Sequence, residues 1–281
     1  MKKLKFSKGN KKLSKDTLIY SHPAGITCPG ANSCKAFVTL KDDKRVLNRG
    51  SESLFTCFAA SEELRYPNVF NARKYNYQII KSYVLNSDLI GLTELINWNI
   101  QINKKNITKV RIHESGDFDN LLYLQAWLNV AKLNKDLTFY FYTKNLILFD
   151  HNHSIPNNMK VTASYGGKYD YLIDRGYFKR FSKVVFSTNE AKILNLPIDT
   201  DDTHAYEDKG ANGFALLLHG QQEKNTPSAI ALREIKRNKK YKTLFDDIEN
   251  LKKNKRYQVI EKNNHVIIKD NITSLVHSKP I

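Results

Sequence analysis

Ile107-Thr108-Lys109-Val110-Arg111-Ile112-His113-Glu114-Ser115-Gly116-Asp117-Phe118 passes from a β-branched, apolar run into a polar turn. Residues 107–113 read as a strand. Beyond them Asp117 can cap a helix in which Phe118, Leu121, Leu122, Gln125, Leu128 and Ala131 share one face at i, i+3, i+4 spacing. Four further strand patterns follow, at 137–143, 159–165, 183–188 and 214–219, trailed by the segments 144–149, 169–178, 189–194 and 226–237. Strands alternating with helices require parallel pairing and right-handed crossovers.

Working outward, 17–20 is a short strand that enters a Pro/Gly-punctuated loop at 23–30, while 57–84 and 87–102 are helical, the first interrupted near Pro67. Counting 17–20 gives six β/α units. The fold class is therefore α/β, a partial (β/α)6 TIM-like barrel, with an open doubly wound sheet as the alternative. No Gly-x-Gly-x-x-Gly opens a βα turn, which weighs against a dinucleotide-binding sheet. After Lys239 a basic helix at 241–254 precedes a hairpin, 257–260 with 265–268, about Asn263-Asn264. The expected organisation is a basic leader at 1–16, the barrel at 17–238 and a small C-terminal appendage at 239–281.

The 281 residues, 41% hydrophobic and 11% aromatic, are enough for an ordinary core and exclude a disordered chain. A net charge of +17 points to nucleic acid or another polyanion as a partner. Lys and Asn crowd the whole chain, as at 103–106 and 252–255, so AT-rich coding accounts for the excess equally well. No stretch approaches the ~20 apolar residues a bilayer span needs, and no apolar segment follows the N-terminal lysines. The expected setting is the cytoplasm, with no membrane partner.

In parallel β/α folds the loops after the strands surround the site. Those strand ends carry His113, Glu114, Ser115, Gly116 and Asp117; Tyr142 and Lys144; Ser164, Tyr165 and Gly166; Ser187; and His219. His113, Glu114, Asp117 and Lys144 are the candidates for handling protons and charge, and the others line a pocket. Asp117, Asn189 and Gly167 equally suit plain caps and turns, and His219 a satisfied core histidine. A strand sets His113 and Glu114 on opposite faces unless it has ended before them.

Cys28, Cys34 and Cys57 are the only cysteines and fall near the first fifth of the chain. Cys57, at the start of a helix, would gain thiolate character from the positive helix end. Three thiolates suit a [4Fe-4S] cluster with one iron open to a small-molecule ligand. Zinc, with His22 completing a Cys₃His set, and plain buried cysteines stay open beside it. His204 beside Asp199, Asp201 and Asp202 is either a second metal site or a solvated loop.

Several motifs are familiar. Ala24-Gly25, Thr27-Cys28-Pro29-Gly30-Ala31, Cys57-Phe58-Ala59-Ala60 with Arg65-Tyr66-Pro67-Asn68-Val69, Arg111-Ile112-His113 with Ser115-Gly116-Asp117-Phe118, Tyr142-Thr143-Lys144, Thr162-Ala163-Ser164-Tyr165-Gly166-Gly167 and Phe214-Ala215-Leu216-Leu217-Leu218-His219-Gly220 together resemble a bacteriophage family called gene product eighty-eight. The similarity spans residues 20–236 and implies a viral origin but little chemistry.

The order of parts also resembles the radical S-adenosylmethionine superfamily. That resemblance implies a cluster at the barrel mouth held by Cys28, Cys34 and Cys57, S-adenosylmethionine on the open iron, and Ser115-Gly116-Asp117 where the amino group binds. The superfamily's usual spacing is C-x₃-C-x₂-C and this chain has C-x₅-C-x₂₂-C, a departure that weighs against S-adenosylmethionine and not against a cluster. The expectation is an iron–sulfur protein, either a redox or radical enzyme or an electron carrier or redox sensor; the alternative is a basic nucleic-acid-binding protein with zinc or no metal.

Overall fold

In the computed structural model the described residues are 1–149, 154–245, 252–253, 257–262, 265–271 and 276–280. The chain opens with β1 (Ser7–Lys8) and β2 (Thr17–Tyr20), then a hairpin of β3 (Ala36–Lys41) and β4 (Lys44–Arg49), then helices α1 (Phe58–Arg65), α2 (Pro67–Leu85) and α3 (Leu89–Asn103). The alternating part comprises β5 (Lys109–Ile112), α4 (Leu121–Leu133), β6 (Thr138–Thr143), β7 (Met159–Ser164), α5 (Asp170–Asp174), β8 (Phe181–Val185), α6 (Thr188–Ile193), α7 (Thr203–Tyr206) and β9 (Phe214–Leu217). It ends with α8 (Pro227–Phe245), β10 (Tyr257–Lys262), β11 (His265–Asp270) and β12 (Val276–Pro280).

Seven strands form the central sheet in the order β1-β2-β5-β6-β7-β8-β9. All neighbours pair in parallel except β1 with β2. Fully buried β2 and apolar-rich β6 are what a sheet covered on both faces demands. On one face Leu18, Val110, Phe139 and Phe141 pack with Ile96 and Leu95 of α3 and Trp127 and Leu124 of α4. Each such buried side chain contributes about 1.5–3 kcal/mol relative to exposure. Tyr140 and Phe214 pack with Ala205 of α7 in a separate cluster.

The partial barrel expected from the alternation, and with it the radical S-adenosylmethionine type, is corrected here to a mixed α/β fold on a mostly parallel sheet. Among the described residues β1 and β9 are the two edges and no ladder joins them. Closure would lay a parallel strand on the outer edge of β2, which is taken by antiparallel β1.

Pro67 starts a new helix at its first position, where its missing N–H costs nothing, so the predicted interruption divides α1 from α2. The cap predicted at Asp117 is instead Asn120, whose Oδ1 accepts from the backbone N–H groups of Leu122 (2.8 Å) and Tyr123 (3.4 Å). The β3–β4 hairpin was not anticipated. Its turn uses Asp42 and Asp43, both at positive φ (48° and 58°), the mirror-image turn usually signalled by Asn-Gly or Asp-Gly.

The chain divides into two compact units, Met1–Ala229 and Ile230–Ile281. In the second, β10, β11 and β12 form an antiparallel sheet that contains the expected hairpin. Its turn at Asn263-Asn264, and most of the basic helix expected at 241–254 beyond Phe245, lie outside the described residues. Among the described residues no helix is long and apolar enough to cross a membrane.

Candidate functional site

A cavity of about 210 Å³ in the first unit lies at the carboxyl ends of the parallel strands. Each strand contributes to it through its last residues or the loop behind it. Arg111 comes from β5, Tyr142 and Thr143 from β6, Ser164 from β7, Val184 from β8 and Leu216 from β9, and Leu218 and His219 follow β9. The cysteine loop and the start of α1 complete the wall with Cys28, Cys34, Cys57 and Phe58.

The turn after β5 explains why His113 and Glu114 can both face this space. The strand stops at Ile112 and His113 takes a left-handed conformation, φ 58°, which breaks the alternation of sides. His113 Nε2 is held by the Tyr123 hydroxyl at 3.0 Å, while Nδ1 is buried without a partner. Burial, with His22 and Arg111 nearby, pushes the His113 pKa well below the usual histidine range, so its ring is neutral. Glu114 is engaged by Arg73 at 3.4 Å and by the Asn10 side-chain amide at 3.1 Å.

Asp117 ties two strand ends together. Its carboxylate accepts from the backbone N–H groups of Phe118 (2.8 Å), Lys144 (2.8 Å) and Asn145 (3.3 Å). Burial outweighs these donors and pushes its pKa up to about 6. Lys144 Nζ reaches the Ser164 hydroxyl at 2.8 Å and also donates to the Tyr165 carbonyl, so the ammonium clamps the end of β7. Of the four residues expected to handle protons and charge, all line the cavity, but Glu114, Asp117 and Lys144 are engaged in holding its walls.

The expected pocket residues divide. Ser115, Gly116, Tyr142, Ser164 and His219 line the cavity; Tyr165, Gly166 and Ser187 are not among its lining. The Tyr165 hydroxyl donates to Asp174 at 2.8 Å on the surface. Gly166, at φ 92°, presents its carbonyl to the N–H groups of Asn32 and Ser33 at 3.1 and 2.9 Å, pinning the cysteine loop. Ser187 caps α6, its hydroxyl accepting from Glu190 N–H at 3.0 Å. The His219 ring packs tilted against Phe58, centroids 4.6 Å apart, and burial lowers its pKa.

All three thiols reach the same cavity and none forms a disulfide. The thiolate expected for Cys57 at the start of α1 is corrected. The N–H groups of Ala59 and Ala60 do favour the anion, but desolvation and neighbouring Cys34 push the thiol up to about 12. Desolvation, then Asp117, Cys57 and Cys34, likewise push Cys28 well above the ordinary range. These two thiols are neutral at pH 7.

Among the described residues no three His, Cys, Asp or Glu form a group that could hold a metal ion. The expected iron–sulfur protein is overturned on that finding. His22, weighed as the fourth ligand of the alternative zinc site, instead turns into the aromatic core, its Nε2 2.9 Å from the Tyr20 hydroxyl and its ring stacked on Tyr123. The segment of His204 with Asp199, Asp201 and Asp202, which the sequence leaves open between a second metal site and a solvated loop, is a web of internal contacts. His204 Nδ1 meets Asp199 at 2.9 Å, and Asp201 accepts from the Thr203 hydroxyl at 2.6 Å.

Sequence reasoning missed Arg111, Asp202, Lys12 and Asn10 as wall residues. Arg111 was legible as a strand-end residue of the quoted motif. Asp202 was singled out only with His204 and not for this cavity, while Lys12 and Asn10 arrive by long-range folding and nothing local signals them.

A family model described as Gene product 88 matches residues 4–242. No curated protein and no solved structure matches. The likeness to the radical S-adenosylmethionine superfamily gains no support from these comparisons.

Proposed function

The chain belongs to the phage Gene product 88 family, and we propose that its cavity binds a small organic molecule. The convergence of side chains from five successive parallel strands on one space of about 210 Å³ carries this reading. Ligands of open parallel sheets sit beyond the carboxyl ends of the strands, where the loops can vary without cost to the core. The exposed wall surface is mostly apolar, with Phe55, Phe58, Val184, Leu216 and Leu218, although half of the lining residues carry polar or charged side chains. That mixture gives affinity from apolar contact and orientation from polar contact. Neutral His113, positioned by Tyr123, is a side chain suited to exchange a hydrogen bond with the occupant.

Native mass spectrometry of the purified chain tests this. The expected result is a bound small molecule that is lost in Val184→Phe, whose larger side chain fills the space. A wild-type protein that carries nothing, and gains no thermal stability from any member of a broad metabolite panel, defeats the reading.

A second reading concerns the charge. Arg233, Lys236 and Arg237 are exposed on one face of α8 at i, i+3, i+4 spacing, and the net charge is +17. These support nucleic acid as a macromolecular partner. Affinity for DNA or RNA should fall steeply with salt and drop when the three residues are changed to Gln; no binding at low salt removes the reading.

A further inference from the structure

Arg111 is the most exacting group in the cavity wall. Its side chain is only 9% exposed, and its Nε and Nη1 find no hydrogen-bond acceptor. A guanidinium cannot shed its charge and carries five donors in a planar fork, so leaving them unmatched when buried is costly. Its neighbours do not supply the match. The Tyr142 and Tyr140 rings lie 4.1 and 5.4 Å from its central carbon and offer π faces, not fork-shaped acceptors. The nearby carboxylate, Asp202, stands 3.4 Å from Nε and is shared with Lys12 Nζ at 2.6 Å and the Tyr142 hydroxyl at 3.4 Å.

The other acids around this end are committed elsewhere. Glu114 is held by Arg73 and Asn10, and Asp199 by His204 at 2.9 Å with Lys12 at 3.9 Å. Lys12 itself lines the cavity beside Arg111. Two cationic side chains therefore border one end of the space with a single carboxylate, Asp202, between them, and Arg111 keeps two buried donors without acceptors.

We propose that the Arg111 end of the cavity receives a compact oxyanion, a carboxylate or phosphate group carried by the small molecule bound there. The inference rests on the ligand-binding reading above and adds the class of its head group. An oxygen of such a group can meet the part of the guanidinium that borders the space, and Lys12 adds a second cationic contact. The apolar remainder of the molecule then lies toward Leu216, Leu218 and Phe58.

The test uses the full chain and inorganic phosphate, with acetate as the carboxylate probe and chloride at equal ionic strength as the control. Saturable thermal stabilisation by phosphate or acetate beyond chloride is expected, weakened about tenfold or more in Arg111→Gln. Lys12→Met, at a more exposed position, should weaken it less and gives a second readout if Arg111→Gln does not fold. Stabilisation by phosphate alone points to a phosphate head group, and by acetate alone to a carboxylate. Equal response to all three salts, or an undiminished response in both variants, overturns the proposal. A co-purifying neutral or cationic molecule displaced by Val184→Phe overturns it too, while leaving the ligand-binding reading intact; an empty cavity with no panel binder defeats that reading itself.

Discussion

Asp117 Oδ2 accepts from the backbone N–H of Lys144 at 2.8 Å, joining the loop after β5 to the end of β6. The two residues are 27 apart in sequence, and the bond fixes the distance between two walls of the cavity. Asn145 N–H adds a second bond to the same oxygen at 3.3 Å. A carboxylate placed there acts as a cross-brace.

Asp117→Asn leaves one oxygen to accept where two did, and its amide donors then meet backbone donors. The expected cost at pH 7 is about 1–3 kcal/mol in urea unfolding. A variant as stable as the parent would show that the brace is dispensable.

The same residue sets a pH signature. Its folded-state pKa is raised from 3.8 to about 6, so its protonated form is favoured by folding. The stability it contributes is fully present below about pH 4 and is lost as pH rises through about 6. The margin of wild type over Asp117→Asn should therefore be larger at pH 5 than at pH 8, by up to about 3 kcal/mol over the full window. A margin that is flat or grows with pH contradicts the assignment.

The thiols provide a chemical check. With Cys57 pushed up to about 12 and Cys28 also raised, few thiolates exist near neutrality. Alkylation of Cys57 by iodoacetamide at pH 8 should run on the order of a thousandfold slower than that of free cysteine. Peptide mass spectrometry over a time course reads this directly, and rapid labelling of Cys57 would mean that its thiol is not desolvated.

How much of this was readable beforehand follows from the range of the forces involved. The β5 strand, the Pro67 break and the polar strand ends are local patterns, set by alternation, a fixed proline φ and helix periodicity, and they emerged from the residues alone. The barrel did not, because closure depends on what pairs with the outer edge of β2, and β1 is only two residues long. Nor did the state of Cys57. Position at a helix start argued for a thiolate, while desolvation, a property of the packed surroundings, decided the opposite. Asp117 likewise looked like a cap, since its type and position fit; the partners that claimed it come from β6. His113 and Glu114 on one cavity required knowing that the strand ends at Ile112.

Gly30 presses the cysteine loop against the site. Its carbonyl accepts from Lys168 N–H at 2.8 Å, and an added Cβ would overlap the Lys144 carbonyl and approach Asn145 N at 2.8 Å. That contact is with backbone, which cannot rotate away as a side-chain tip can, so the loop or the end of β6 must shift. Gly30→Ala should therefore destabilise the chain by about 1–3 kcal/mol, whereas Gly176→Ala, which meets nothing within 4 Å, pays only for its left-handed φ of 78°. Because the displaced segment carries Cys28 and Cys34, Gly30→Ala should also open the cavity wall and speed alkylation of Cys28 relative to the parent, an effect that Gly176→Ala should not produce. Equal labelling rates in the two variants would mean that the loop holds the thiols without leaning on β6.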